Sequence, residues 1–155
     1  MFDCVSHKLL IAKLERYGVR SEALVFLRSY ISWRPQRVKV KSGNGNEVLT
    51  DFMEIDGGVP QGSVLGPFLF IVYANDLNNI MDGINMVTFA DDICITVTGT
   101  DFPILVDIMN RGLITLSNWS RFNLLPINYS KCHALIVTNR KVQDPDTLRI
   151  DSHTR

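Results

Sequence analysis

Two adjacent carboxylates, Asp91 and Asp92, sit in the stretch VTFADDICITV, Val87 to Val97, whose other residues are apolar or small and alternate like a buried hairpin. On such strands Val87 and Phe89 share one face, and Ile93, Ile95 and Val97 share another, so Ala90-Asp91-Asp92 falls at the bend. At an effective dielectric of ~20, two unit charges ~4 Å apart repel by about 4 kcal/mol. A buried pair would therefore need neutralising. Clustered hard oxygen ligands suit Mg²⁺, which keeps several waters and takes one or two carboxylates together with substrate phosphates. The plain alternative is a solvated turn, since Asp is a common turn residue.

The elements that must position this bend are legible from periodicity. Leu10, Leu14 and Tyr17 recur at helical spacing from about Val5, and Gly18 ends that helix. A second helix is expected with Ser21 as N-cap, Leu24, Leu27 and Ile31 on one face, and a stop before Pro35. In RVKVKSGNGNEVLTDFMEI, Val38 and Val40 alternate with Arg37, Lys39 and Lys41 around a Gly-Asn-Gly turn, which reads as a hairpin with one basic face. GGVPQGSVLGPFLFIVYANDL joins a loop to a buried helix expected from about Val64 to Leu77, with Ser63 as its cap. The FADD hairpin should cover roughly Asn85 to Thr98. A long amphipathic helix follows from about Asp101 to Phe122, with Leu105, Ile108, Met109, Leu116 and Trp119 facing the core. HALIVT, His133 to Thr138, reads as the last strand, and the polar NRKVQDPDTLRIDSHTR as a weak strand or loose end.

The chain has 155 residues, 46% hydrophobic and 21% charged, the composition of one ordinary globular domain or part of a larger one, and not of a disordered tail. No apolar run approaches the ~20 residues of a membrane span, and MFDCVSHKLLIAKLERYG lacks the pattern of a signal peptide. An intracellular protein without a membrane partner is expected. Cys4, Cys94 and Cys132 are odd in number and form no CxxC pair, so core thiols are expected and not a disulfide framework. His7, His133 and His153 suggest no catalytic arrangement, and Cys132-His133 lacks the further ligands zinc needs. The formal charge is zero but segregated. Residues 1–41 hold nine Lys/Arg against three Asp/Glu, residues 42–110 none against ten, and residues 111–155 seven against three. An acidic centre flanked by basic ends could hold a polyanion, although solvated surface faces would look the same.

FADD, Phe89 to Asp92, between apolar flanks resembles motif C of reverse transcriptases, and GVPQGSVLGPFLF, Gly58 to Phe70, resembles motif B of their non-LTR retrotransposon (LINE/jockey-like) branch. The succession of the two about thirty residues apart is highly specific. FDCVSHKLLIAKL, Phe2 to Leu14, is similar to the stretch just after the motif A strand, and WSRFNLLPINYSKCHALIVT, Trp119 to Thr138, to motif D. The resemblance covers nearly the whole chain. It implies one reverse transcriptase domain fragment over 1–155, from the end of motif A through motif D. The implied fold is α+β, an incomplete polymerase palm with a ferredoxin/RRM-like antiparallel sheet backed by helices.

The same resemblance implies an RNA-directed DNA polymerase acting on an RNA template, a DNA primer and dNTPs through two Mg²⁺ ions. Asp91 would be a metal ligand, with Asp92 its neighbour as an outer-shell or primer-end contact. Gly58 and Gly62 would let the backbone approach a base pair, Gln61 would lie against the incoming nucleotide and template, and Phe2 would pack under the incoming sugar. Lys131 would assist the leaving pyrophosphate as proton donor or positive charge. The family's metal-binding motif A aspartate falls upstream of Met1, Asp3 matching the second, non-ligating aspartate. The expectation is therefore a fragment inactive alone. A catalytically dead nucleic-acid-binding or assembly module derived from such an element is the alternative, and the sequence leaves the oligomeric state open.

Overall fold

The computed structural model describes residues 2–41, 43, 45–81 and 83–139, and builds them from α-helices, short 3-10 turns and two β-hairpins. These residues divide into two units, Phe2–Tyr73 and a second from Ala74 onward.

In the first unit, α1 (His7–Arg16) starts at Ser6, whose Oγ accepts the Leu9 backbone N–H at 3.4 Å. Its i, i+1, i+4 positions Leu10, Ile11 and Leu14 are buried. Tyr17, at the end of that spacing, is exposed because the chain has already left the helix, turning through Gly18 at φ +94°. Helix α2 (Ser21–Ile31) takes in Ser21 as its first residue, so Arg20 and not Ser21 stands at the N-cap. Arg20, in extended backbone, makes no capping bond with its side chain; its guanidinium donates instead to the carbonyls of Glu15 and Val19, acceptors where α1 ends. Ile31 is buried as expected, with Leu24 and Leu27 half-buried.

Strands β1 (Lys39–Lys41) and β2 (Glu47–Leu49) pair antiparallel, Lys39 opposite Leu49 and Lys41 opposite Glu47. Helix α3 (Leu65–Ala74) follows the Gly/Pro/Gln loop, and Ser63 caps it through Oγ, which accepts the Gly66 N–H at 3.0 Å. Leu69, Phe70 and Tyr73 of this helix are buried, as are Val5, Leu10, Leu14, Ile31 and Val59 of the same unit. The α-helix expected to reach Leu77 stops at Ala74, and Asn75–Ile80 continue as a 3-10 helix, the tighter form common at helix ends.

In the second unit, β3 (Asn85–Phe89) and β4 (Asp92–Thr96) make the second hairpin. Helix α4 (Phe102–Phe122) matches the expected span almost residue for residue. Asp101 caps it by accepting the Ile104 N–H at 3.2 Å, and Pro103 occupies the first turn, where a missing N–H costs nothing. Trp119 is buried on α4 and its indole donates to Asp76 Oδ1 at 3.0 Å. Beyond the helix, the Ser120 hydroxyl donates to the Leu125 carbonyl at 2.6 Å, which seats Leu125 in the core.

Helices with small antiparallel sheets make the fold α+β, and among the described residues the strands form two separate two-stranded sheets. The strand expected at His133–Thr138 is not formed: no described strand lies alongside to complete a ladder, and an isolated apolar run does not make a sheet. The segment after Asn139 lies outside the described residues. Among the described residues no helix is long and apolar enough to cross a membrane.

Candidate active site

The β3–β4 register sets Phe89 directly opposite Asp92, which leaves Ala90 and Asp91 as a two-residue loop. Two-residue hairpin loops need positive φ at one or both central positions to match strand twist, and glycine normally supplies it. Here Ala90 adopts φ +52°, a left-handed conformation costing roughly 1–2 kcal/mol for an L-residue. The loop thus projects Asp91 from its tip while Asp92 begins β4 beside it.

Cross-strand partners share a face. Val87 and Cys94 therefore lie with Phe89 and Asp92, and Met86, Thr88, Ile93 and Ile95 lie on the other side. Only Met86, Ile93 and Ile95 are half-buried. Val87 is 70% exposed and Phe89 82%, so the face these two share is open to solvent. Cys94 and Cys4 are exposed and Cys132 half-buried, which corrects the expectation of core thiols. Both carboxylates are exposed too. Water screens their repulsion to about 1 kcal/mol at ~4 Å, so folding alone does not call for a cation here.

The donor set can still be tested against a divalent ion. Two adjacent carboxylates on a rigid turn offer hard oxygens of the kind Mg²⁺ accepts, and their exposure leaves room for waters and phosphate oxygens. They fit a metal held jointly by protein and substrate. They do not fit a closed, all-protein cage: among the described residues no three possible ligands come together.

In the first unit, the loop Gly57–Ser63 is fastened to the start of the chain. Gly57 bridges Ser6, the Gly58 N–H donates to the Val5 carbonyl at 2.8 Å, and the Val59 N–H donates to the Phe2 carbonyl at 3.1 Å. The buried Gly58 has φ +77°, and a Cβ there would lie 2.9 Å from Asp3 Cα, so glycine is required twice over. Gly62 also has positive φ, +76°, but faces open space. Gln61 is exposed, and its Nε2 donates to Asp3 Oδ1 at 2.7 Å. The Phe2 ring packs on Phe70 with centroids 4.4 Å apart.

Two further side chains reach this loop, and no motif or spacing in the sequence singles them out. His7 Nε2 lies 2.8 Å from the Gly58 carbonyl oxygen, and Arg34 Nη2 donates to the same oxygen at 3.2 Å. Fifty-one and twenty-four residues separate them from Gly58, and no local spacing signals such a pairing. The structure thus brings together Phe2, Asp3, His7, Arg34, Gly58 and Gln61 within one unit, and Asp91 and Asp92 at one turn of the other. Lys131 is exposed in the 3-10 turn Tyr129–Lys131.

Comparison with known proteins gives a consistent result. A family model described as reverse transcriptase (RNA-dependent DNA polymerase) matches residues 1–148. The probable RNA-directed DNA polymerase from transposon X-element of Drosophila melanogaster is 30% identical over 148 residues, covering 93% of this chain and 16% of that protein. The RNA-directed DNA polymerase from mobile element jockey of Drosophila funebris is 28% identical over 145 residues, covering 89% and 15%. The probable RNA-directed DNA polymerase from transposon BS of Drosophila melanogaster is 30% identical over 143 residues, covering 84% and 14%. The chain spans about one-sixth of the length of these relatives.

Proposed function

The chain belongs to the reverse transcriptase (RNA-dependent DNA polymerase) family, and from that premise we propose that it is the palm portion of an RNA-directed DNA polymerase of a non-LTR retrotransposon. Its substrates are then an RNA template, a DNA primer and dNTPs. The observation that carries this reading is the strained two-residue turn that presents Asp91 and Asp92 to solvent at the tip of a hairpin. Backbone strain held at a pair of exposed acids is more readily understood as the geometry of a site than as a requirement of the fold.

In this reading Asp91 would hold Mg²⁺, with Asp92 beside it as an outer-shell or primer-end contact. When bound, two such ions lower the pKa of the primer 3′-hydroxyl and neutralise charge on the phosphates during in-line displacement. The remaining roles belong to the chain itself. Gly58, buried against Asp3 and pinned by its amide and carbonyl, holds the loop in place, Gly62, which faces open space, lets the backbone come close to the base pair, and Gln61 would lie beside it. Phe2, braced on Phe70, sits beneath the sugar and disfavours a 2′-hydroxyl. Lys131 offers a proton or a positive charge to the departing pyrophosphate.

Two carboxylates are fewer ligands than two ions need, so the 155-residue chain alone is a catalytically incomplete portion. It should incorporate no dTMP on poly(rA)·oligo(dT). Incorporation that is lost in Asp91→Ala would overturn the incompleteness while supporting the polymerase assignment. The assignment itself is tested by titrating Mn²⁺ with dTTP and following amide NMR signals. Residues Phe89–Ile93 should broaden in the wild type and not in Asp91→Asn. Equal broadening in both would overturn it.

A further inference from the structure

The β1–β2 hairpin contributes no buried side chain: all six residues of its strands are exposed. Its ladder extends past the strands, with Gln36 bridged to Met53 and the Thr50 N–H donating to the Val38 carbonyl at 3.0 Å. Arg37, Lys39 and Lys41 therefore alternate along one edge of a held ribbon and share a face, spanning about 13 Å at ~3.3 Å per residue. The opposite face carries Val38, Val40 and Val48. Arg37 lies over the ring of the exposed Phe52, its guanidinium carbon 4.7 Å from the centroid, a cation–π contact that steadies the charge on this face.

Against these three cations the facing segment Glu47–Met53 brings two exposed acids, Asp51 and Glu47, the latter 2.7 Å from the Lys39 ammonium and 3.8 Å from that of Lys41. An exposed carboxylate shared between two lysines stabilises a surface hairpin only weakly. A row of regularly spaced cations that the core does not use is instead suited to a polyanion with regularly spaced charges.

We propose that this hairpin is a nucleic-acid contact separate from the acid-bearing turn, with Arg37, Lys39 and Lys41 holding successive phosphates of a single RNA strand irrespective of sequence. This rests on the reading above that the chain handles an RNA template, and places one contact for it. Glu47 acts as a built-in brake, competing with phosphate for Lys39 and Lys41.

The test is fluorescence anisotropy of the full chain with a fluorescein-labelled 20-mer of oligo(U) over a range of KCl concentrations. Each phosphate contact on a single strand contributes about 0.7 to the slope of log K against log salt. The double variant K39Q/K41Q should flatten that slope by about 1.4, and the variant Lys8→Gln, an exposed charge on α1, should not. Glu47→Gln should tighten binding and steepen the slope, a gain that misfolding cannot mimic, and Lys39→Arg/Lys41→Arg should restore the wild-type slope. A K39Q/K41Q slope equal to that of wild type, or no binding of oligo(U) by wild type, overturns the proposal. The Mn²⁺ and dTTP titration is independent of these lysines. Its failure with the expected salt slopes would sink the polymerase assignment and leave the hairpin contact standing, and the reverse outcome would sink the hairpin alone.

Discussion

Ala90 is the residue whose backbone and chemistry conflict most plainly. An L-residue at φ +52° in a two-residue loop costs more than glycine would, while glycine gives up more chain entropy on folding, so the two effects partly cancel. Ala90→Gly should raise the unfolding free energy by up to about 1 kcal/mol in urea titrations. A loss of stability would show that the turn is not strained. Gly58 is the opposite case. A methyl there meets Asp3 Cα at 2.9 Å with φ already at +77°, so Gly58→Ala should cost about 2–3 kcal/mol by the same measurement. The Gly58 carbonyl has two side-chain donors, His7 and Arg34. His7→Ala and Arg34→Ala should each cost on the order of 1 kcal/mol, and because they share one acceptor their effects should be non-additive by at least ~0.5 kcal/mol in a double-mutant cycle. The Gly58 and Gln61 amide signals should shift in both.

At the scale of elements, α4 shows how capping and packing divide the task of placing a helix. Asp101 sets its start through one side-chain hydrogen bond, and Asp101→Ala should cost about 1 kcal/mol. Gly112 sits mid-helix, where it costs about 1 kcal/mol relative to alanine by propensity. A Cβ there would meet the terminal methyl of the half-buried Ile84, which can turn aside. The propensity gained and the cost of moving Ile84 should then nearly cancel, leaving Gly112→Ala within about 1 kcal/mol of the wild type in thermal unfolding. The two hairpins differ from α4 in kind. Each is a two-stranded sheet with exposed faces, and such ribbons are marginal in water unless something further packs on them. Their alternation of apolar and polar residues describes a half-buried surface correctly but cannot say whether the covering layer is present.

For the whole molecule, charge segregation and exposed acids decide how metal should act. Asp91 and Asp92 are already solvated, so millimolar Mg²⁺ alone should leave the melting temperature unchanged. With saturating dTTP it should raise the melting temperature, because the ligand then adds the oxygens that two carboxylates lack and binds the native state only. An equal rise with Mg²⁺ alone would point to a protein-built cage. The segregated charge also belongs to this scale, since residues 42–110 contain no Lys or Arg while residues 1–41 contain nine. Folding brings the two segments together at the first hairpin, where Glu47 pairs with Lys39 and Lys41.

By itself the sequence determined the helices, the hairpin around FADD and the family. Caps, turn residues and hydrophobic periods are local, and two motifs spaced about thirty residues apart need no third dimension to be recognised. Tertiary structure alone decided that the acid pair faces water, that His133–Thr138 forms no strand among the described residues, and that His7 and Arg34 converge on one carbonyl. Burial, strand pairing and long-range hydrogen bonds depend on what lies across from a residue in space, and the order of residues along the chain does not encode that locally.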